Sequence, residues 1–106
     1  MKTKGGYKYF GLFEGLPYGD CDEKFDDYRA IKNTINKESV VKRIESLSPG
    51  ITSEPTYDLF TGERFYAGFY VDGKFVFTTD FARYYKDRDI GLPPEYEKYL
   101  IDNNLV

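Results

Sequence analysis

The residues best equipped for chemistry are acids, one thiol and a crowd of tyrosines. Between Asp20 and Asp27 the chain carries Asp20, Asp22, Glu23, Asp26 and Asp27 against a single base, Lys24. Asp20-Cys21-Asp22-Glu23 opens like a calcium loop, in which carboxylates at alternate positions converge on one hard cation. The pattern breaks at once, because Lys24 falls where the third ligand belongs and Phe25 where the turn glycine belongs. The simpler reading is an acidic helix start, where negative charge meets the positive end of the helix dipole. Cys21 at such a start would gain thiolate character, but the acids around it oppose that charge.

The chain has no histidine and only one cysteine. Ser-His-Asp and Cys-His machinery in the usual form is therefore excluded, as are the common structural zinc sets. Neither a GxxxxGKS/T loop nor a GxGxxG loop is present. Carboxylate pairs can do acid–base work without histidine, but eighteen acids make chance pairs common and none stands out. No catalytic residue, cofactor or metal is expected.

Two stretches mix cations with rings, Tyr7-Lys8-Tyr9-Phe10 and Arg83-Tyr84-Tyr85-Lys86. Such mixtures can stack and clamp single-stranded nucleic acid. In a strand, however, Lys8 points away from Tyr7 and Tyr9, and in a helix Tyr84 and Tyr85 face the core while Arg83 and Lys86 face water. A net charge of −3 also lacks the basic footprint that nucleic acid needs. Nucleic acid is an unfavoured partner.

The elements that must position these residues follow from spacing. With 106 residues, the chain is expected to be one domain, 1–106. Residues 7 to 13 read as an aromatic strand. Phe25, Tyr28, Ile31 and Ile35 recur at three and four, which predicts a helix over 22–33. Asn36 can cap a second helix with Val40, Val41, Ile44 and Leu47 on one face, stopped by Pro49-Gly50. From 56 to 79 a three-stranded antiparallel meander is expected, turning at Thr61-Gly62 and Asp72-Gly73. A two-residue turn at Asp72-Gly73 places Tyr70 opposite Phe75 and Gly68 opposite Phe77, and Gly68 would leave room for that ring. Thr79 can cap a third helix whose Phe81, Tyr84 and Tyr85 share a face, and Pro93-Pro94 opens a fourth with Tyr96, Tyr99 and Leu100 inward. The expected class is α+β, an antiparallel sheet joined by the N-terminal strand and packed with about four helices. Both faces of the meander carry apolar side chains, so one should meet the helices and the other be closed by the N-terminal strand or a partner.

The lone thiol suits a reducing compartment, and glycines and charges interrupt the N-terminal segment where a signal peptide would need an apolar run. No segment has the length of a membrane span. A cytoplasmic protein is expected. Eleven tyrosines with no tryptophan favour half-buried sites and binding surfaces, because the ring is apolar and its tip polar. The expectation is a non-catalytic protein-binding module that meets a basic surface through Asp20, Asp22, Glu23, Asp26, Asp27, Tyr66 and Tyr70. The rivals are a small carboxylate- or tyrosine-based enzyme and a single-stranded nucleic-acid module. In profile the chain is short, acidic, histidine-poor and without motifs. In that it is similar to small inhibitors of bacterial defence systems and to toxin-immunity proteins, which implies a stoichiometric inhibitor.

Overall fold

The computed structural model describes all residues, 1–106. Five strands and four helices follow one another as β1 (Lys2–Lys4), β2 (Tyr7–Phe10), α1 (Phe25–Arg29), α2 (Lys37–Glu45), β3 (Gly50–Tyr57), β4 (Arg64–Asp72), β5 (Phe75–Thr78), α3 (Thr79–Asp87) and α4 (Pro94–Asp102). The class is α+β, with one five-stranded sheet in the order β1-β2-β5-β4-β3. No helix is long and apolar enough to cross a membrane.

The sheet is mixed, which corrects the expected all-antiparallel one. β3, β4 and β5 do form antiparallel neighbours, but β2 runs parallel to β5, with Tyr9 opposite Val76. A parallel neighbour needs a long crossover, and α1, α2, β3 and β4 lie between the two strands in sequence. The N-terminal segment therefore widens the sheet at its edge instead of closing one of its faces. It brings an extra strand with it, β1, paired antiparallel to β2 with Lys2 opposite Tyr9 and Lys4 opposite Tyr7.

Three further expectations move. The first meander strand starts at Gly50, not near Thr56, and Tyr57 is its last residue. The turn after it is built on Asp58, whose Oδ1 accepts from the N–H groups of Phe60 (2.8 Å) and Thr61 (2.9 Å). The hairpin register differs by two residues, with Asp72 opposite Phe75 and Tyr70 opposite Phe77. Side chains alternate with a period of two, so a two-residue shift leaves every residue on its expected face. Gly68 is required by backbone and not by a ring, because a Cβ there would lie 2.3 Å from the Gly50 carbonyl oxygen.

Helix α1 is also shorter than 22–33. Residues before Phe25 are held in extended form by the bridge between Phe13 and Glu23. At the other end the Tyr28 carbonyl accepts the Gly91 N–H at 2.9 Å. The caps of the other helices follow local chemistry. Asn36 accepts from Ser39 N–H, and Thr78, one residue before the expected Thr79, accepts from Phe81 N–H.

All four helices lie on one side of the sheet. Phe10, Phe75 and Phe77 point into that side and meet Phe81 of α3 and Tyr96 of α4, with ring centroids 4.9 to 5.8 Å apart for Phe10–Phe81, Phe10–Tyr96, Phe75–Tyr96 and Phe77–Phe81. Val40 and Ile44 of α2 and Tyr28 of α1 complete the core. Edge-on and tilted ring contacts of this kind add about 0.5–1.5 kcal/mol each beyond area burial, so the aromatic content of the chain is largely spent in its interior.

Candidate functional site

The tyrosines and the acids meet mostly inside the molecule. Four carboxylates are buried or nearly so, and each is held by hydroxyls or amides. Asp80 Oδ1 accepts from Tyr18 (2.7 Å) and its Oδ2 from Thr56 (2.7 Å). Asp72 accepts from Tyr96 (2.8 Å), Tyr99 (3.2 Å) and twice from Arg43 (2.7 and 3.2 Å). Glu23 accepts from Tyr28 (2.6 Å) and from Leu12 N–H (2.9 Å). Asp58 takes its loop amides and Arg83 (3.1 Å). Every buried side-chain polar atom has a partner, as folded interiors require.

These partners set the protonation states. Burial pushes the Asp72 carboxyl upward, but the Arg43 guanidinium and the two tyrosine hydroxyls outweigh it and hold the group below the ordinary carboxylate range. Burial likewise opposes the Asp58 carboxylate, and the Thr61 and Phe60 amides with Arg83 bring it down. Tyr18, Tyr28 and Tyr96 are lifted far above the usual phenol value, first by burial and then by the carboxylate each one donates to. Burial also lifts the Cys21 thiol, with Asp80 and Asp22 adding to it, so this thiol is a poor nucleophile. No cluster of three or more histidine, cysteine, aspartate or glutamate side chains converges as a metal site.

The five acids between Asp20 and Asp27 do not act as one patch. Glu23 is turned inward, and the N-terminal amine lies 3.5 Å from it. Asp22 pairs with Lys2 at 3.1 Å, and Lys2 also donates to the Asp20 carbonyl. Asp26 makes a long contact of 3.4 Å with Arg29. The carboxylates left without an ion pair are those of Asp20 and Asp27, both exposed.

Tyr66 and Tyr70 also separate. Phe65 lies beneath the guanidinium of Arg83 on α3, and Tyr70 stacks on Phe77 beneath α2 and α3. Both face the helices although they are five residues apart, so the strand's alternation slips between them. The pairing of β3 with β4 is irregular at the same place, between Ile51 and Pro55. Tyr66, next to Phe65, therefore points to the other side of the sheet.

That other side has no helix over it. Tyr7, Tyr9, Phe69, Val71 and Val76 line a single apolar surface across β2, β5 and β4. Tyr66 and Tyr57 are exposed on the same side of the sheet, since Thr56 between Pro55 and Tyr57 is the residue that reaches Asp80 on the helix side. Tyr7, Tyr57, Tyr66 and Val71 are 43 to 63% exposed. Tyr18 closes one end against Phe69, with ring centroids 5.0 Å apart. Beside it Lys2, Lys4 and Asp20 border an open cleft of about 310 Å³. Sequence reasoning found Tyr66 but missed Tyr7, Tyr9, Phe69 and Val71 as surface residues. The alternation of Phe69 and Val71 against Tyr70 and Asp72 was the available signal. Compared with protein-family models, curated proteins and solved structures, the chain matches none of them.

Proposed function

We propose that this chain is a non-catalytic protein-binding module of the cytoplasm, acting as a small stoichiometric inhibitor of a bacterial defence or toxin protein. The observation that supports it is the uncovered aromatic face of the sheet. Large contiguous apolar surfaces on small domains mark interaction sites, and tyrosine is enriched where interfaces form. Five strands of three to nine residues, about 4.8 Å apart, outline a face of roughly 440 Å², somewhat over half of the ~800 Å² each partner gives to a standard interface. Asp20 at the rim, with Asp26 and Asp27 on α1, supplies the negative charge that speeds encounter with a basic partner.

A second reading has one observation in its favour. Lys4 and Lys2 stand directly across from Tyr7 and Tyr9 in the register, so lysines and rings alternate along this edge, as in platforms that stack bases and hold phosphates. One experiment separates the two. Immobilised wild type and a Tyr66→Glu/Val71→Glu variant are incubated with lysate of the native host, with and without nuclease. A protein captured by wild type, lost in the folded variant and insensitive to nuclease supports the protein-binding reading. Capture that nuclease abolishes supports the second, and identical capture by both proteins rejects the open face altogether.

A further inference from the structure

We propose that the cleft beside Tyr18 is a binding site for a small aromatic zwitterion, a molecule with one ring, one ammonium and one carboxylate, of the kind a free aromatic amino acid is. The cleft measures about 310 Å³, at the small end of ligand sites, which suits a single-ring molecule. Its walls are the rings of Tyr9, Tyr18 and Phe69, with Leu12 beside them. The Tyr18 ring is fixed. Its hydroxyl donates to the fully buried Asp80 at 2.7 Å and accepts the Gly68 N–H at 3.0 Å, and its face meets Phe69 with centroids 5.0 Å apart. A ring held in this way loses no further freedom when a ligand ring packs on it. The cleft shares Tyr9 and Phe69 with the open face, yet a small ligand there needs no protein partner.

The charges around the cleft are of both signs, and that selects the ligand. Lys2 is committed, because its ammonium donates to the Asp20 carbonyl at 2.7 Å and pairs with Asp22 at 3.1 Å. The Lys4 ammonium and the Asp20 carboxylate also line the cleft, and neither makes an ion pair, with the other or with any further residue. Asp20 is set in place by its backbone. Its φ of 58° lies in the left-handed region, and the Lys2 contact with its carbonyl holds that turn. Backbone outliers of this kind gather at ligand clamps. One free ammonium and one free carboxylate beside an aromatic wall complement a ring that carries both opposite charges. A phosphate would add two negative charges beside Asp20, and an amine lacking a carboxylate would face Lys4 with nothing to offer it, so both are disfavoured.

The test titrates the ¹⁵N-labelled full chain with L-phenylalanine, and with phenethylamine and 3-phenylpropionate, each of which keeps the ring and one charge. L-phenylalanine is expected to shift the amides of Gly19, Asp20 and Phe69 saturably, with a Kd on the order of 1 mM, and both counterparts to bind more weakly. Lys4→Gln and Asp20→Asn alter exposed side chains, and asparagine keeps the left-handed turn, so both variants should melt at the wild-type temperature. Lys4→Gln is expected to weaken L-phenylalanine about three- to fivefold without weakening phenethylamine, and Asp20→Asn to weaken it as much without weakening 3-phenylpropionate. No saturable shift up to about 20 mM L-phenylalanine, equal binding of the three compounds, or an affinity indifferent to both substitutions would overturn the proposal. Shifts centred on Val71 and Val76 instead would overturn it too. The protein-binding reading survives any of these results, because capture by the Tyr66→Glu/Val71→Glu variant decides it separately.

Discussion

Replacing Arg43 by methionine isolates the node that ties α2 to the β4–β5 hairpin. Met keeps most of the aliphatic stem and removes the two hydrogen bonds and the charge that face Asp72. The Asp72 side chain is 1% exposed, so its carboxylate cannot turn to water and is left with two tyrosine hydroxyls. Breaking a buried pair by removing one partner costs about 3–5 kcal/mol. Arg43 keeps a quarter of its side-chain exposure, at 24%, which places this case at the lower end, about 3 kcal/mol. For a domain of this size each kcal/mol moves the melting temperature by about 4 °C, so a drop of roughly 12 °C is expected at pH 7. The pH dependence carries the sharper signature. Asp72 is held below its ordinary pKa, so its stabilisation is complete above the unfolded value near 3.9 and is lost as pH falls through the lower folded value. The gap between wild type and Arg43→Met should therefore narrow as pH is lowered from 7, because Asp72 without its cation takes up a proton, and stops needing that cation, at a higher pH than the wild-type group does. Thermal unfolding by circular dichroism across that range measures it, with Asp72→Asn and the double variant closing the cycle. A gap that stays constant with pH would refute the electrostatic account and leave Arg43 as packing alone.

Other outcomes follow from the same geometry. Gly73→Val should destabilise by at least about 2 kcal/mol, measured by urea unfolding, because Gly73 has φ of 60° and a Cβ there would lie 2.6 Å from the Tyr99 hydroxyl; an unchanged midpoint would contradict this. Cys21→Ser should leave stability and partner binding nearly unchanged, since the thiol is raised in pKa and donates only to the nearby Tyr18 and Gly19 carbonyls, which a hydroxyl can also reach; loss of binding with the fold intact would make it functional. Asp26→Lys/Asp27→Lys should slow association with the identified partner and flatten its salt dependence, with little change in dissociation, read by stopped flow or surface plasmon resonance. Equal association rates at low salt would remove these acids from recognition.

Local chemistry was legible in the sequence, and long-range direction was not. The Asn36 cap, the inward stripe of Phe81, Tyr84 and Tyr85, and the inner placement of Tyr96 and Leu100 all follow from nearest-neighbour spacing. So do the two faces of the β4–β5 hairpin, because a register error of two conserves them. Nothing near Tyr7–Phe10 signals that its neighbour is β5, or that the two run parallel. The buried acids were misread for a related reason. Glu23 looked like part of a surface cluster, but it turns inward to the Tyr28 hydroxyl five residues on and to the Leu12 N–H eleven residues back, and the second contact exists only because the fold lays that loop beside it. Asp72 looked like a turn residue, yet it is buried against Arg43, twenty-nine positions away. The split between Tyr66 and Tyr70 depends on an irregularity in how β3 meets β4, which a single strand's sequence does not display.

The parallel contact of β2 with β5 also governs how the chain must be assembled in time. Lys8 pairs with Phe75, sixty-seven positions later. At synthesis rates of about 5–20 residues per second, β2 emerges roughly 3–13 seconds before its partner exists. In that interval it has only β1, and an isolated two-stranded hairpin is marginal in water. Phe10, which ends wholly buried among Phe77, Phe81 and Tyr96, is therefore among the last core residues to find its place, although it is made near the start. A nascent chain halted before Phe75 would expose Tyr7, Tyr9 and Phe10 together, and it is in that state, not the finished fold, that the protein most needs protection from aggregation.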